Sequence, residues 1–239
     1  MEKNDINLLV DRRAAVQIKT LTEWGMKVLP VFLHGNLQVP LSSHPDMLIY
    51  PLYEKVIYAP GTSYDTLRSI LLAGFDIIEG KTVLTSNYPG DIAYNVARIG
   101  NKVFHNTRYT DTILKGILQD YDMKFVNVNQ GYSKCNICVI GDNAAITEDK
   151  GIAEAMERED IDVLRIPPGN VRLPGYEYGF IGGASGCIGK NTIVLTGRIQ
   201  DREVSSKVEK FIEKHNFILK YLSDDEIIDI GSIIPLIKE

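Results

Sequence analysis

Apolar residues recur at three- and four-residue spacing in five stretches, Asp11–Trp24, Ser63–Ala73, Tyr109–Gln119, Thr147–Arg158 and Arg202–His215. This period predicts five amphipathic helices. In the fourth, Thr147 followed by Glu148 and Asp149 reads as a capped start with an acidic first turn. Each stretch is followed at once by an extended apolar run: Met26–Val31, Phe75–Ile78, Met123–Val128, Ile161–Ile166 and Phe217–Leu222. These runs predict strands. A second pattern lies between them, a short β-branched run, then Gly plus a polar residue, then another apolar run. It occurs in Asn95–Phe104 around Gly100, in Asn136–Ile146 around Gly141, in Ala184–Val194 around Gly189 and in Glu226–Pro235 around Gly231. Such a pattern predicts a hairpin whose tight turn needs a positive φ, which glycine adopts without steric cost. Asp46–Tyr50 takes the same place without a turn glycine.

The unit is therefore hairpin, helix, strand. Its anchors, five residues before each hairpin glycine, fall at Asn95, Asn136, Ala184 and Glu226, with Asp46 in the corresponding place of the unit without a glycine, a period in the forties that nearly consumes the chain. Repeats of that length signal a propeller-like ring or an array rather than one continuous parallel sheet. The first helix precedes the first complete hairpin, and Glu226–Ile237 follows the last helix. Those leftovers complement each other, so Glu226–Ile237 is expected beside Asn7–Val10. Closing the ring in this way removes exposed sheet edges. The expected fold is α/β, a pseudo-fivefold, five-bladed α/β-propeller of ββαβ repeats closed by its N- and C-terminal segments, with residues 1–239 as one domain.

Five ββαβ units about one axis resemble the pentein superfamily of amidinotransferase-like, guanidino-group-modifying proteins. Gly182-Gly183-Ala184-Ser185 with the hairpin residues Cys187–Val194 is similar to that superfamily's Gly-Gly-Asp strand and hairpin, with Ala184 in place of the acid. The same stretch also looks like a phosphate loop, but the spacing fails. A P-loop ending at Gly189-Lys190 would need glycine where Ala184 stands, and Asn191 occupies the place of the metal-binding hydroxyl. Gly189-Lys190 is read as a hairpin corner.

Composition narrows the classes. With 239 residues, 44% hydrophobic and 24% charged, the chain can bury a large core. Its formal charge of −5 gives no general attraction to nucleic acid or anionic membrane. Three cysteines and an N-terminus without a signal-peptide layout favour a reducing cytoplasm without a disulfide framework. No motif calls for a cofactor or metal, and a homo-oligomer is compatible with the composition.

The resemblance implies a cysteine nucleophile opening the strand after the last helix, a histidine on the preceding unit, and carboxylates holding a guanidinium. The matching positions are Ser223–Ile227 and Gly183–Ala184, which hold neither residue. The standard machinery does not transfer. Cys135, just before an anchor, with His44 as base and Asp46 as its orienter, is the alternative catalytic set. A small apolar cysteine at a strand start is more often a core residue. Cys135 and Cys138, three apart on a strand, face opposite sides and make a poor metal clamp. Polar residues crowd the anchors: His44, Asp46, Tyr94, Asn95, Asn136, Ser185, Asp225 and Glu226. From these the expected ligand set is Asp46, Asn95, Asn136, Ser185 and Glu226. Asp46 and Glu226 would supply charge for a small cationic ligand, and Asn95 and Asn136 its orientation. Three readings stay open, in this order: a noncatalytic binder of a small polar or guanidino/amino ligand, a hydrolase or amidinotransferase with a relocated cysteine, and a macromolecule-binding protein similar to the ribosome anti-association factors of this fold.

Overall fold

Residues 6–238 are described by the computed structural model; Met1–Asp5, read above as lacking a leader, and Glu239 lie outside the described residues. The chain begins with β1 (Asn7–Asp11), α1 (Ala15–Glu23) and β2 (Lys27–Val31). The second unit is α2 (Pro45–Leu48), β3 (Ile49–Leu52), β4 (Lys55–Tyr58), α3 (Tyr64–Leu72) and β5 (Asp76–Glu79). The third is β6 (Ala97–Ile99), β7 (Lys102–His105), α4 (Thr112–Asp120) and β8 (Lys124–Asn127). The fourth is α5 (Ser133–Asn136), β9 (Cys138–Ile140), β10 (Ala144–Thr147), α6 (Lys150–Glu157) and β11 (Asp162–Arg165). Then come β12 (Ser185–Cys187), β13 (Thr192–Leu195), α7 (Arg202–Lys214), β14 (Ile218–Tyr221) and finally β15 (Ile234–Leu236).

These strands make five three-stranded sheets, β15-β1-β2, β3-β4-β5, β6-β7-β8, β9-β10-β11 and β12-β13-β14. In every sheet the central strand pairs antiparallel on one side and, across a helix, parallel on the other. The first sheet is assembled from both ends of the chain, with Asn7 opposite Leu236 and Leu9 opposite Ile234. The expected closure by the terminal segments is what the structure shows. Among the described residues no helix is long and apolar enough to cross a membrane.

Burial follows the periods. Central strands are the most enclosed, with Leu8, Leu9 and Val10 of β1 fully buried, while the outer strand β14 alternates exposed and half-buried residues. Helix α7 buries Val204, Val208, Phe211 and Ile212, one face at helical spacing. Each such side chain contributes about 1.5–3 kcal/mol of burial. At the hairpin turns φ is +57° at Gly100, +64° at Gly141 and +86° at Gly189; in the hairpin without a glycine, Tyr53 takes φ +54°. The glycine-rich stretch thus turns a hairpin at Gly189.

Three local expectations are corrected. Helix α6 starts at Lys150, and its cap is Asp149, which accepts from Ile152 N at 2.7 Å; Thr147 ends β10. Helix α4 starts at Thr112, not Tyr109, because Asp111 caps it, accepting from Ile113 N and Leu114 N. In the last unit Gly231 does adopt φ +72°, but Glu226–Ile230 forms no hairpin strand. It makes only single bridges, to Arg172 and Arg198, and the strand that follows pairs with β1. The equivalent anchor is therefore Ser232 rather than Glu226.

Candidate functional site

The segments that open the first strand of each unit meet at the axis, and their hydrogen bonds run from unit to unit. Asp46 N donates to Gly231 O, Ser232 N to Gly183 O, Gly183 N to Cys135 O and Lys134 N to Asn95 O, at 3.1, 2.7, 2.8 and 3.3 Å. The Asn95 side chain closes the belt, its Nδ2 donating to Asp46 O at 3.1 Å. Packing this tight requires glycine. A Cβ on Gly182 would sit 2.5 Å from Cys135 O and 2.6 Å from Ile137 O, and one on Gly183 would overlap the Asp229 carboxylate. The Gly-Gly pair is thus a close-approach device.

At the centre, Asp46 Oδ2 accepts from Ser232 Oγ at 2.7 Å and from Cys135 Sγ at 3.3 Å. Its Oδ1 has no partner among the described residues, although Asp46 is 1% exposed. Lys134 Nζ donates to Ser232 Oγ at 2.9 Å, linking an ammonium to the carboxylate through one hydroxyl. Ser232 is fully buried and holds φ +68°, a left-handed conformation that costs a non-glycine residue about 1 kcal/mol or more. Desolvation by burial, and then the charges of Asp46 and Asp229, push the Cys135 thiol well above its ordinary pKa.

His44 lies deeper on the loop side, between two buried carboxylates. Its Nδ1 is 3.7 Å from Asp229 Oδ1 and its Nε2 is 3.9 Å from Asp11 Oδ2. Asp229 accepts from Gly231 N and Phe180 N at 2.9 and 3.0 Å. Burial raises its pKa; His44 opposes this and Asp46 adds to it. Burial also acts upward on Asp11, but hydrogen bonds from Arg13 and Ser43 outweigh it and hold the carboxyl below its usual range. Glu148, buried nearby with Oε2 accepting from Ile181 N, is pushed up by burial to about 8, and its Oε1 is unpartnered among the described residues.

One cavity of 630 Å³ is lined by Asp11, Arg13, His44, Arg172, Glu226 and Asp229, and two smaller ones flank the centre itself. One, of 230 Å³ on the loop side, is walled by Tyr132, Tyr176 and Phe180, with Cys135 and Asp229 in its lining. The other, of 260 Å³ on the side of the hairpin strands, is lined by Asp46, Ser185, Lys134 and Arg98 among tyrosines and aliphatic residues. Cys135 and Asp46 touch each other yet face different cavities, so the hydrogen-bonded centre separates the two.

The sequence-derived set is therefore dispersed. Cys135 and Asp46 meet although their units are not adjacent, because the axis is narrow enough for a thiol to cross it. His44 has Asp11 and Asp229 as its charged neighbours, and no hydrogen bond joins it to Cys135 among the described residues. Asn95 spends its amide on the belt, with Oδ1 accepting from Lys134 N and Nδ2 donating also to Cys135 Sγ. Asn136 donates to Tyr132 O, and Ser185 to Gly182 O. Glu226 is half exposed, 3.8 Å from Arg172, away from Asp46. The sequence reading missed Asp229 and Ser232. Registering the last unit on β15 would have found Ser232, and Asp229 lies three residues before it.

A profile of the family of unknown function DUF6873 matches residues 9–234, and the chain belongs to that family. A search of curated proteins finds no match. Among solved structures it is similar to DDAH from Pseudomonas aeruginosa complexed with citrulline, at 8% identity over 97% of each chain and TM-score 0.60. It is similar to the C. jejuni agmatine deiminase, at 8% identity over 98% of this chain and 93% of that one, TM-score 0.58. It is also similar to SxtG, an amidinotransferase of the saxitoxin biosynthetic pathway of Microseira wollei, at 13% identity over 91% and 88%, TM-score 0.54. At these identities the likeness establishes the fold, which is the pentein fold.

Proposed function

We propose that the protein binds a small cationic amino or guanidino compound in the loop-side cavity and does not process it through a cysteine nucleophile. The observation that carries this reading is the state of Cys135. A thiol becomes a nucleophile when a cation or base lowers its pKa. Cys135 has the opposite surroundings, complete burial and two carboxylates, and its thiol donates to Asp46 Oδ2.

The cavity above that thiol suits a cation. Its lining holds two acids, Asp229 and Glu177, and no Lys or Arg, and four aromatic rings, those of Tyr132, Tyr176, Tyr178 and Phe180, supply faces for cation–π contact. Tyr132 and Tyr176 are anchored by their hydroxyls, to Asp91 at 2.6 Å and Gln38 at 2.9 Å, so the rings are held in place. A cation entering would offset the burial that keeps the Asp229 carboxyl raised and the Asp46 charge that adds to it, so affinity should increase as pH rises through the Asp229 titration. The names of the structural neighbours, an amidinotransferase and an agmatine deiminase, favour the same ligand chemistry. Calorimetry and thermal shift with agmatine, arginine and putrescine test it. At least one should bind the wild type, with binding lost in Asp229→Asn and weakened in Phe180→Ala, and with no product formed. Turnover abolished by Cys135→Ser would replace this reading with the relocated-cysteine enzyme, and absence of binding by all three would end it.

A further inference from the structure

The cavity on the hairpin side carries polar atoms that the fold leaves unused. Arg98 Nη1, the Tyr50 hydroxyl and Asp46 Oδ1 are all buried and all without a hydrogen-bond partner among the described residues, and all three residues line this one space. Leaving such a group unpaired is expensive, about 1–3 kcal/mol each and more when it is charged. Natural interiors leave only a few such atoms unpaired, and here three belong to residues that line one cavity.

Their chemistry is directional. The Arg98 guanidinium lies 5.2 Å from the Tyr53 ring centroid, and Arg98 and Tyr50 line the same cavity with one free donor each. Two donors, one of them cationic, match a carboxylate. Lys134, the other cation of the lining, is already engaged by Ser232 beside Asp46, so Arg98 carries the uncompensated charge. Asp46 Oδ1 is an acceptor and wants an N–H or O–H. Between these groups the wall is apolar, with Tyr53, Tyr94, Ile233 and Pro235. A volume of 260 Å³ suits a ligand of amino-acid size rather than a nucleotide or a peptide.

We infer that this cavity is a second binding site, for a small amino or hydroxy carboxylate with an apolar body. Its carboxylate is held by Arg98 Nη1 and the Tyr50 hydroxyl, and its amino or hydroxyl group donates to Asp46 Oδ1. The site is separate from the loop-side cavity, and it does not depend on what that cavity binds. Because Asp46 also receives the Cys135 thiol and the Ser232 hydroxyl, the two sites share a wall at this carboxylate.

The test is calorimetry and thermal shift on the full chain with L-phenylalanine, L-leucine, phenyllactate and 6-aminohexanoate, with phenethylamine as the probe that lacks the carboxylate. At least one carboxylate should bind and raise Tm, while phenethylamine leaves this site empty. Arg98→Met should weaken binding at least about tenfold and Tyr50→Phe severalfold, as expected for a charge-assisted and a neutral hydrogen bond. Tyr50→Phe keeps the ring packing, so it reports on the hydroxyl even where Arg98→Met unfolds the protein. Phe180→Ala, in the other cavity, should leave carboxylate binding intact. The inference is overturned if none of the four carboxylates binds, if neither Arg98→Met nor Tyr50→Phe weakens binding, or if Phe180→Ala removes it.

Discussion

Asp111 and the carboxylates of the axis are equally buried, and their surroundings are opposite. Asp111 accepts from four backbone N–H groups: Ile113 and Leu114 on Oδ1, and Lys81 and Thr82 on Oδ2, at 2.6 to 3.0 Å. Burial acts to raise its pKa, but bonds from Leu114, Thr82 and Lys81 win, and the carboxyl sits below its ordinary value. Around the axis Asp46 and Glu148 each keep an oxygen without a partner among the described residues, and Asp229 and Glu148 are raised by burial. A charge that the backbone fully satisfies ties two units together. A charge left unsatisfied in the interior is held by the fold in readiness for a proton or a ligand.

The strongest test of that contrast is Asp111→Ala. It removes the cap of α4 and strands the loop donors of Lys81 and Thr82, so unfolding free energy in urea at pH 7 should fall by about 3–5 kcal/mol. The sign with pH follows from the lowered pKa. Asp111 stabilises above the ordinary carboxylate value of 3.8, and its contribution disappears as pH falls through its lower folded pKa. A loss under about 1 kcal/mol would mean that water replaces the carboxylate, and the two classes of acid would merge.

Glu148→Gln should act in the other direction. Its folded pKa of about 8 lies above the model-peptide value of 4.5, so the folded state prefers the protonated acid. Wild-type stability therefore drops as pH rises from about 4.5 to about 8, and the amide removes that slope. At pH 9 the variant should be more stable by about 1–3 kcal/mol, less than the full shift implies because water and neighbours relax around a buried charge. Parallel pH–stability curves for the two proteins would show that Glu148 ionises freely.

Why the fold was legible and the site only partly so has a physical reason. The five helices and the strands after them follow from periods inside single segments, and the ring follows from counting them. Apart from two helix starts, moved by the caps Asp149 and Asp111, the error lay in one register. Gly231 has the positive φ of a hairpin glycine and the same apolar flanks, but the strand after it pairs with β1 at the other end of the chain. No local pattern distinguishes a hairpin turn from the turn that leads into a strand paired across the ring. His44 and Asp46 stood out because they are polar residues just before an apolar run. Asp11, Lys134, Asp229 and Ser232 become a cluster only through contacts between units, and Asn95, equally prominent in sequence, turned out to be part of the belt.

The smallest effect is expected where the sequence placed the second carboxylate. Glu226 is 45% exposed and 3.8 Å from Arg172, itself 60% exposed, and such pairs contribute only about 0–0.5 kcal/mol in water and salt. Glu226→Gln should leave stability within that range and leave cation binding in the loop-side cavity unchanged. Asp229→Asn, measured beside it by the same calorimetry, should lose the cation. The pair isolates position from charge, since both substitutions remove one carboxylate from the same short segment. If Glu226→Gln weakens binding as much as Asp229→Asn does, the cavity responds to the net charge of the loop face, and the distinction between a buried, unsatisfied carboxylate and a solvated one no longer explains the site.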